Sequence, residues 1–168
     1  MRCSDGLSCG AMATPILAVG DLAPPFVATT GDGATIRLAD FIGERGLVLF
    51  FYPRDGTPVC TKQACAFRDS YAQFVDAGFE VVGVSSGSAN SHRAFTQQHQ
   101  LPFPLISDSD GSLRALYGAS KALGIIPGRV TYVIDRDGRI RLIYSALFAS
   151  DEHVRQALAA VGADVKSK

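Results

Sequence analysis

A run of six consecutive apolar residues, Leu47 to Tyr52, limits the folds that are open to this chain. The run is rich in aromatic and branched side chains, which suits a strand that is buried on both faces. The segment 80–85 has the same character. Between the two runs, apolar residues recur at spacings of three and four from Ala64 to Val75, and Gly78 follows, which predicts a helix that begins close to Cys60. Strands that alternate with helices predict an α/β fold.

The flanking segments complete this prediction. We expect an opening hairpin with strands at 26–29 and 34–38, a helix at 91–98, a short strand at 105–106, a short helix at 112–117, a closing hairpin at 130–134 and 140–144, and a terminal helix at 151–161. Strands and helices alternate in the earlier part of the chain, and a β-hairpin follows them. This order predicts a mixed central sheet with helices on both faces. This is the thioredoxin-like arrangement, here with an N-terminal β-hairpin extension. Residues 20–168 are expected to form a single domain, and residues 1–19 a flexible leader with Met12 as an alternative start.

Charge and cysteine content narrow the function classes. The chain carries 16 lysines and arginines against 16 aspartates and glutamates, so no net field draws it towards nucleic acid or an anionic membrane. It has no stretch of roughly 20 apolar residues and no apolar secretory core at the N-terminus, so a cytoplasmic location is expected. Four cysteines are too few for a disulfide-dense scaffold, which favours reactive or metal-binding cysteine. Cys3 and Cys9 lack a paired ligand spacing, so we expect no metal there; a terminal extension, a cloning remnant and an accessory redox pair stay open.

Cys60 stands at or just before the first turn of a helix that follows a buried strand. There the unpaired backbone N–H groups and the positive end of the helix dipole favour an anion, so a reactive thiolate is expected. The alternative is a buried cysteine that packs as a small hydrophobic residue. Pro53 and Pro58 stiffen the preceding loop, and Gly56 permits a tight turn. Thr57 can donate its hydroxyl to the sulfur or to a substrate oxygen, or it can cap the helix.

The spacing Pro53-x-x-x-Thr57-x-x-Cys60 resembles the P-x-x-x-T/S-x-x-C motif of the peroxiredoxins. The resemblance implies that Cys60 is the peroxidatic nucleophile, that Thr57 positions the peroxide and that Pro53 shields the cysteine. It also implies an arginine that completes the site, and Arg129, directly before the strand at 130–134, fits that pattern. A guanidinium near the sulfur would stabilise the thiolate and the charge on the leaving oxygen. Without the resemblance, Arg129 is interpreted as an ordinary solvated arginine at a strand edge.

The stretch Cys60-Thr-Lys-Gln-Ala-Cys65 is similar to the C-x-x-x-x-C stretch of the peroxiredoxin Q group, also known as bacterioferritin comigratory proteins. The similarity runs from about Gly20 to Val161. It implies that Cys65 resolves the sulfenic acid on Cys60 as an intramolecular disulfide, which thioredoxin or another dithiol then reduces. The implied substrates are hydrogen peroxide and organic hydroperoxides, with no metal or organic cofactor. A monomer is expected, because both redox cysteines are on one chain.

Helix geometry places a condition on that disulfide. Five helical steps advance about 7.5 Å and turn about 140°, so the two cysteines of an intact helix point apart and their Cα atoms exceed disulfide range. The helix must therefore unwind locally before the bond forms. The alternatives are a thioredoxin-like disulfide oxidoreductase or a copper chaperone, which usually have a shorter cysteine spacing. A binding module with a structural Cys60–Cys65 bridge is a further alternative, and the helix geometry opposes it.

The three histidines are not expected to act as catalytic bases. A cysteine that is activated by a helix terminus and an arginine needs no imidazole. Histidines on helix surfaces are usually solvated, and this is the interpretation for His92, His99 and His153.

Further side chains near the motif are given structural interpretations. Arg68 and Asp69 follow Cys60 within two turns and are interpreted as part of the solvated helix face, with a supporting polar network as the alternative. Core packing is the default for three aromatic residues that are also candidates for the wall of the site, Phe26, Phe51 and Phe103.

Overall fold

The structure is a computed structural model that describes residues 17–119, 121–122, 126–127, 129–146 and 149–166. In chain order, the elements are β1 (Val27–Thr29), β2 (Thr35–Arg37), a 3-10 helix (Leu38–Asp40), β3 (Gly46–Phe51), α1 (Pro58–Asp69), α2 (Tyr71–Asp76), β4 (Phe79–Ser85), α3 (Ala89–His99), β5 (Leu105–Ser107), α4 (Ser112–Leu116), β6 (Lys121–Ala122), β7 (Ile126–Pro127), β8 (Val130–Ile134), β9 (Ile140–Ser145) and α5 (Ser150–Lys166). Cys3, Cys9 and Met12 lie outside the described residues. None of the helices in these ranges combines the length and the hydropathy of a membrane span.

The central sheet has five strands in the order β5-β4-β3-β8-β9. Strands β3, β4 and β5 run parallel to one another, whereas β8 pairs antiparallel with both β3 and β9. Strands β1 and β2 form a separate antiparallel hairpin. The predicted thioredoxin-like α/β fold with a mixed sheet and an N-terminal hairpin is therefore confirmed. The pair β6 and β7 was not predicted, because two-residue strands carry no periodic signal.

Side chains of β3 alternate between the two faces of the central sheet, and each face has its own core. Leu49 and Phe51 belong to one buried cluster, and Val48 and Phe50 belong to the cluster that contains Cys60. In that second cluster, Phe50 stacks on the ring of Phe67 in α1, with 4.4 Å between the ring centroids. Full burial of such a ring stabilises the fold by about 2–3 kcal/mol. The stack therefore holds α1, and the cysteine in its first turn, against the sheet.

The helix that follows Cys60 ends earlier than the sequence predicts. One continuous helix was expected as far as Gly78, but the chain breaks at Ser70 into α1 and α2. Ser70 has φ −102° and ψ 4°, outside the α-helical region, although its N–H still donates to the carbonyl of Ala66. The apolar spacing continues across this break, which is why it predicts a single helix. Val75 was assigned to the apolar face and is instead 46% exposed.

The three candidate wall residues pack as core residues. Phe26 and Phe51 are buried in the cluster on the face opposite Cys60. Phe103 lies in the cluster that contains Cys60, edge-on to Phe50 with 5.7 Å between centroids. Core packing, the default interpretation, therefore describes all three.

Candidate active site

Cys60 lies at the junction between the buried strand β3 and helix α1. The chain leaves β3 at Phe51 and turns at Gly56, whose φ of 81° is in the left-handed region that favours glycine. It enters α1 at Pro58, a position that suits proline because a helix leaves the first N–H without a partner. Cys60 is the third residue of α1 and only 1% exposed. The sulfur therefore sits in an almost dry environment at the N-terminal turn of the helix.

Arg129 brings a positive charge to the Cys60 sulfur. Its Nη2 donates a hydrogen bond to Sγ at 3.3 Å, and the arginine is only 4% exposed. The sheet explains this approach, because β8 pairs with β3 so that Val130 lies opposite Phe51, where the junction begins. The guanidinium and the positive end of the helix dipole both favour a thiolate. Arg129 is thus a buried partner of Cys60 and not a solvated strand-edge residue.

Gln63, which no motif singled out, is a third member of this contact. Its Oε1 accepts a hydrogen bond from Arg129 Nη1, and its side chain is fully buried one turn after Cys60. Its Nε2 has no hydrogen-bond partner within the described residues. The spacing from Cys60 is the signal that could have found it, because residues three apart share a helix face. Arg129 therefore contacts Gln63 through Nη1 and the Cys60 sulfur through Nη2. These two contacts fix the orientation of the Arg129 guanidinium.

Thr57 and Pro53 lie in the loop before Cys60, without a direct hydrogen bond to its sulfur. Thr57 occupies the N-cap position of α1, but its side chain makes no capping hydrogen bond. Its hydroxyl instead donates to the carbonyl of Arg54 at 3.4 Å, a long and weak contact. Pro53 is half-buried, and its carbonyl accepts from the Ser86 hydroxyl at 3.5 Å. The Thr57 hydroxyl is thus not committed to a strong partner.

A buried polar network fixes the middle of this loop. The Asp55 carboxylate accepts hydrogen bonds from the Tyr52 hydroxyl at 2.6 Å, the Ser91 hydroxyl at 2.7 Å and His92 Nδ1 at 2.5 Å. Burial raises the pKa of Asp55, but the bonds from His92, Tyr52 and Ser91 outweigh it and hold the pKa below its usual range. Burial and the nearby Asp55 charge raise the pKa of Tyr52. The network ties the loop to the start of α3.

The prediction that His92 is solvated is wrong, since its side chain is fully buried. Its Nε2 donates to the carbonyl of Ile106 at 3.0 Å, and its Nδ1 faces the Asp55 carboxylate. Both ring nitrogens thus lie within hydrogen-bond distance of an oxygen atom. His92 lies three residues before the buried Phe95 on α3, so it faces inwards. Two satisfied nitrogens make that burial tolerable.

The solvated interpretation is also wrong for His153, which is fully buried. Its Nε2 donates to the carbonyl of Ala146 at 2.7 Å, so its Nδ1 is free to accept from the Thr131 hydroxyl at 2.9 Å. Burial lowers the pKa of His153 and keeps the ring neutral, and the nearby Arg129 charge acts in the same direction. Because the N–H of Ala146 donates to the carbonyl of Arg129 at 3.3 Å, His153 supports the segment that carries this arginine.

We expect acid to destabilise the protein partly through His153. The burial-lowered pKa means that below the ordinary value of 6.5 the unfolded chain binds a proton that the folded protein does not. The stabilisation is therefore complete above about pH 6.5 and is lost as the pH falls, by at most about 1.4 kcal/mol per pH unit. Urea unfolding of the wild type and of His153→Gln between about pH 5 and pH 7.5 measures this loss. The wild-type free energy of unfolding should fall more steeply with acid, and parallel curves would contradict the expectation.

Cys65 lies five residues after Cys60 on α1 and is half-buried, and both cysteines are free thiols. His99, the last residue of α3, places its Nδ1 3.8 Å from the Cys65 sulfur. Arg68 donates to the carbonyl of His99 at 2.7 Å and to the carboxylate of Asp69 at 3.0 Å. Arg68 therefore takes part in a supporting polar network, which was the alternative interpretation. Asp69 is exposed and lies on the solvated face of the helix. His99 is half-buried and not on an open helix surface.

The chain is similar to known proteins over most of its length. A profile of the AhpC/TSA family matches residues 19–143. The chain is 45% identical over 140 residues to chloroplastic peroxiredoxin Q of Suaeda salsa. The aligned segment covers 83% of this chain and 65% of that relative. It is also 45% identical over 140 residues to chloroplastic peroxiredoxin Q of Sedum lineare, with 83% of this chain and 75% of that relative covered. The chain thus spans just under two thirds of the length of the Suaeda relative.

Solved structures show the same similarity. Peroxidoxin BcpB from Mycobacterium tuberculosis superimposes with a TM-score of 0.80 and 34% identity, over 86% of this chain and 96% of that one. Peroxiredoxin Q from Xanthomonas campestris superimposes with a TM-score of 0.77 and 27% identity, over 83% of this chain and 91% of that one.

Proposed function

Because the chain belongs to the AhpC/TSA family and within it to the peroxiredoxin Q group, we propose that it is a thiol peroxidase with Cys60 as its nucleophile. The proposed substrates are hydrogen peroxide and organic hydroperoxides. One observation carries the proposal: the Arg129 guanidinium donates to the Cys60 sulfur at 3.3 Å in the first turn of α1. A buried thiol with its own cation and helix terminus is suited to react as a thiolate.

In the first step, the Cys60 thiolate attacks one peroxide oxygen. The sulfur–oxygen bond forms, the oxygen–oxygen bond breaks, and water or an alcohol leaves, so that Cys60 becomes a sulfenic acid. Arg129 is suited to donate to the oxygen on which charge develops. Thr57 is proposed to orient the peroxide, because its hydroxyl makes only the weak contact with Arg54. Pro53 is proposed to shield the sulfur from water.

In the second step, Cys65 is proposed to attack the sulfenic sulfur and release water. Both cysteines lie on the unbroken helix α1, where residues five apart point in different directions. The first turns of α1 must therefore open in each catalytic cycle. Thioredoxin or another dithiol is proposed to reduce the disulfide by thiol–disulfide exchange. A monomer and a cytoplasmic location stay predictions, whereas the plant relatives named above are chloroplastic.

A Cys65→Ser variant is expected to stop after the first step. Its Cys60 thiolate and Arg129 are untouched, so peroxide still oxidises Cys60, but serine cannot resolve the product. We expect about one equivalent of trappable sulfenic acid per chain after one equivalent of hydrogen peroxide, and easy overoxidation when peroxide is in excess. Stopped-flow mixing followed by thiol counting and mass spectrometry measures both.

The wild type is the matched control and should lose two thiols under the same conditions. If Cys65→Ser also loses two thiols at the wild-type rate, another cysteine resolves Cys60 and this assignment of Cys65 fails.

A further inference from the structure

The resolving cysteine needs to lose a proton, and its position gives it little help. Cys65 lies in the middle of α1, beyond the N-terminal turn with its unpaired N–H groups. An ordinary thiol, with a pKa near 8.5, is only about 3% thiolate at pH 7. Since the thiolate is the attacking species, an unassisted Cys65 would be a slow resolving group.

His99 is placed to accept that proton. Its Nδ1 lies 3.8 Å from the Cys65 sulfur, within reach of a hydrogen bond that involves sulfur. The contact joins the middle of α1 to the last turn of α3, 34 residues away in the chain. When the neutral ring carries its hydrogen on Nε2, Nδ1 presents a lone pair to the thiol.

The surroundings hold the His99 ring in this position. Arg68 donates to the His99 carbonyl at 2.7 Å, which fixes the end of α3 against the turn of α1 that carries Cys65. The ring packs edge-on to Phe95, with 4.9 Å between centroids. Arg68 is itself oriented by its ion pair with Asp69, at 3.0 Å. These contacts keep the His99 Nδ1 beside the Cys65 sulfur.

The other two histidines cannot take this role, because their ring nitrogens are already used. His92 is bonded to Asp55 and to the carbonyl of Ile106. His153 is bonded to Thr131 and to the carbonyl of Ala146. Among the residues that the structure describes, His99 is the histidine whose ring faces a thiol.

We propose that His99 is a further catalytic residue, the base that activates Cys65 for disulfide formation; this rests on the proposed function. His99 Nδ1 takes the proton from the Cys65 thiol while α1 is intact. The helix then opens and the Cys65 thiolate attacks the Cys60 sulfenic sulfur. The sulfur–sulfur bond forms, the sulfur–oxygen bond breaks, and the departing hydroxide takes a proton from solvent and leaves as water. The imidazolium returns its proton to solvent, so one water is released per disulfide.

The test is the rate of resolution in His99→Gln, with Gln98→Ala on the same helix as the matched control. Reduced protein is mixed with one equivalent of hydrogen peroxide, and the remaining sulfenic acid is trapped with dimedone at timed intervals and measured by mass spectrometry. At pH 7 we expect resolution in His99→Gln to be up to about 30-fold slower, the ratio between a full thiolate and an ordinary thiol. The rate of Cys60 oxidation serves as the internal control.

The pH profile separates a base from a structural support. In His99→Gln the rate of resolution should rise about tenfold per pH unit and approach that of the wild type near about pH 9, whereas the wild type should be nearly flat above neutral pH. A uniform slowing at every pH would overturn the role as a base. His99→Ala offers a second readout, since added imidazole should restore its rate and leave that of Gln98→Ala unchanged.

The two proposals fail in different ways. If Cys65→Ser forms no sulfenic acid, the peroxidase mechanism is wrong and the role of His99 falls with it. If sulfenic acid forms normally and His99→Gln resolves it at the wild-type rate, only the role of His99 is overturned.

Discussion

Replacement of Cys60 by serine is expected to slow the reaction with hydrogen peroxide by at least about 10⁴-fold, a loss typical of an enzyme whose nucleophile is removed. The serine hydroxyl would occupy the same buried position beside Arg129, but it does not ionise near neutral pH. It also cannot form the oxidised sulfur product that stores the peroxide oxygen. Stopped-flow consumption of hydrogen peroxide by reduced protein measures the effect.

The control for this variant is Cys65→Ser, which carries the same chemical change five residues away and should keep the fast first step. Thermal unfolding of both variants verifies that the fold is retained. Rapid consumption of peroxide by Cys60→Ser would mean that another group is the nucleophile.

Replacement of Arg129 by methionine is expected to have the next largest effect, a slowing of Cys60 oxidation by about 10²–10³-fold, which is typical for the loss of one donor to a developing oxyanion. Methionine fills a similar volume without charge, so the sulfur loses the Nη2 hydrogen bond and Gln63 loses its partner. Lysine should recover only part of the rate, because one ammonium group cannot reproduce the two-point contact of the guanidinium.

The exposed Arg136 provides the matched control, since Arg136→Met removes the same charge beyond the opposite end of β8. Second-order rate constants for Cys60 oxidation in the three arginine variants decide the question. An Arg129→Met rate within about threefold of the wild type would show that the contact at 3.3 Å does not contribute to the reaction.

The architecture around Cys60 was predictable because local signals dominate it. The fully apolar run of β3 is typical of a strand buried on both faces, and the structure buries all six of its residues. The apolar spacing from Ala64 onwards predicts a helix that begins near Cys60, and α1 begins at Pro58. The break at Ser70 was missed, since one residue outside helical geometry does not alter the spacing of its apolar neighbours.

The contact between Arg129 and Cys60 could not be predicted from local sequence patterns. Arg129 and Cys60 are 69 residues apart, and only the pairing of β8 with β3 brings them together. The family motif pointed to Arg129, whereas residue spacing alone favoured a solvated arginine. Gln63 was accessible in principle, because it lies one helical turn after Cys60 on the same face.

The burial of the histidines was not predicted from the sequence. Sequence reasoning placed all three on solvated helix surfaces, yet His92 and His153 are buried with both nitrogens bonded. Their partners include the backbone carbonyls of Ile106 and Ala146, whose positions depend on tertiary packing and leave no pattern in the sequence. The contact of His99 with Cys65 depends in the same way on the packing of α3 against α1.

The location of the disulfide after one turnover is the measurement that tests the central claim most directly. Reduced protein is treated with one equivalent of hydrogen peroxide, alkylated and mapped by peptide mass spectrometry under non-reducing conditions. We expect two thiols to be lost and the new disulfide to join Cys60 to Cys65. A disulfide between any other pair of the four cysteines, or the loss of two thiols in Cys60→Ser, would contradict the account.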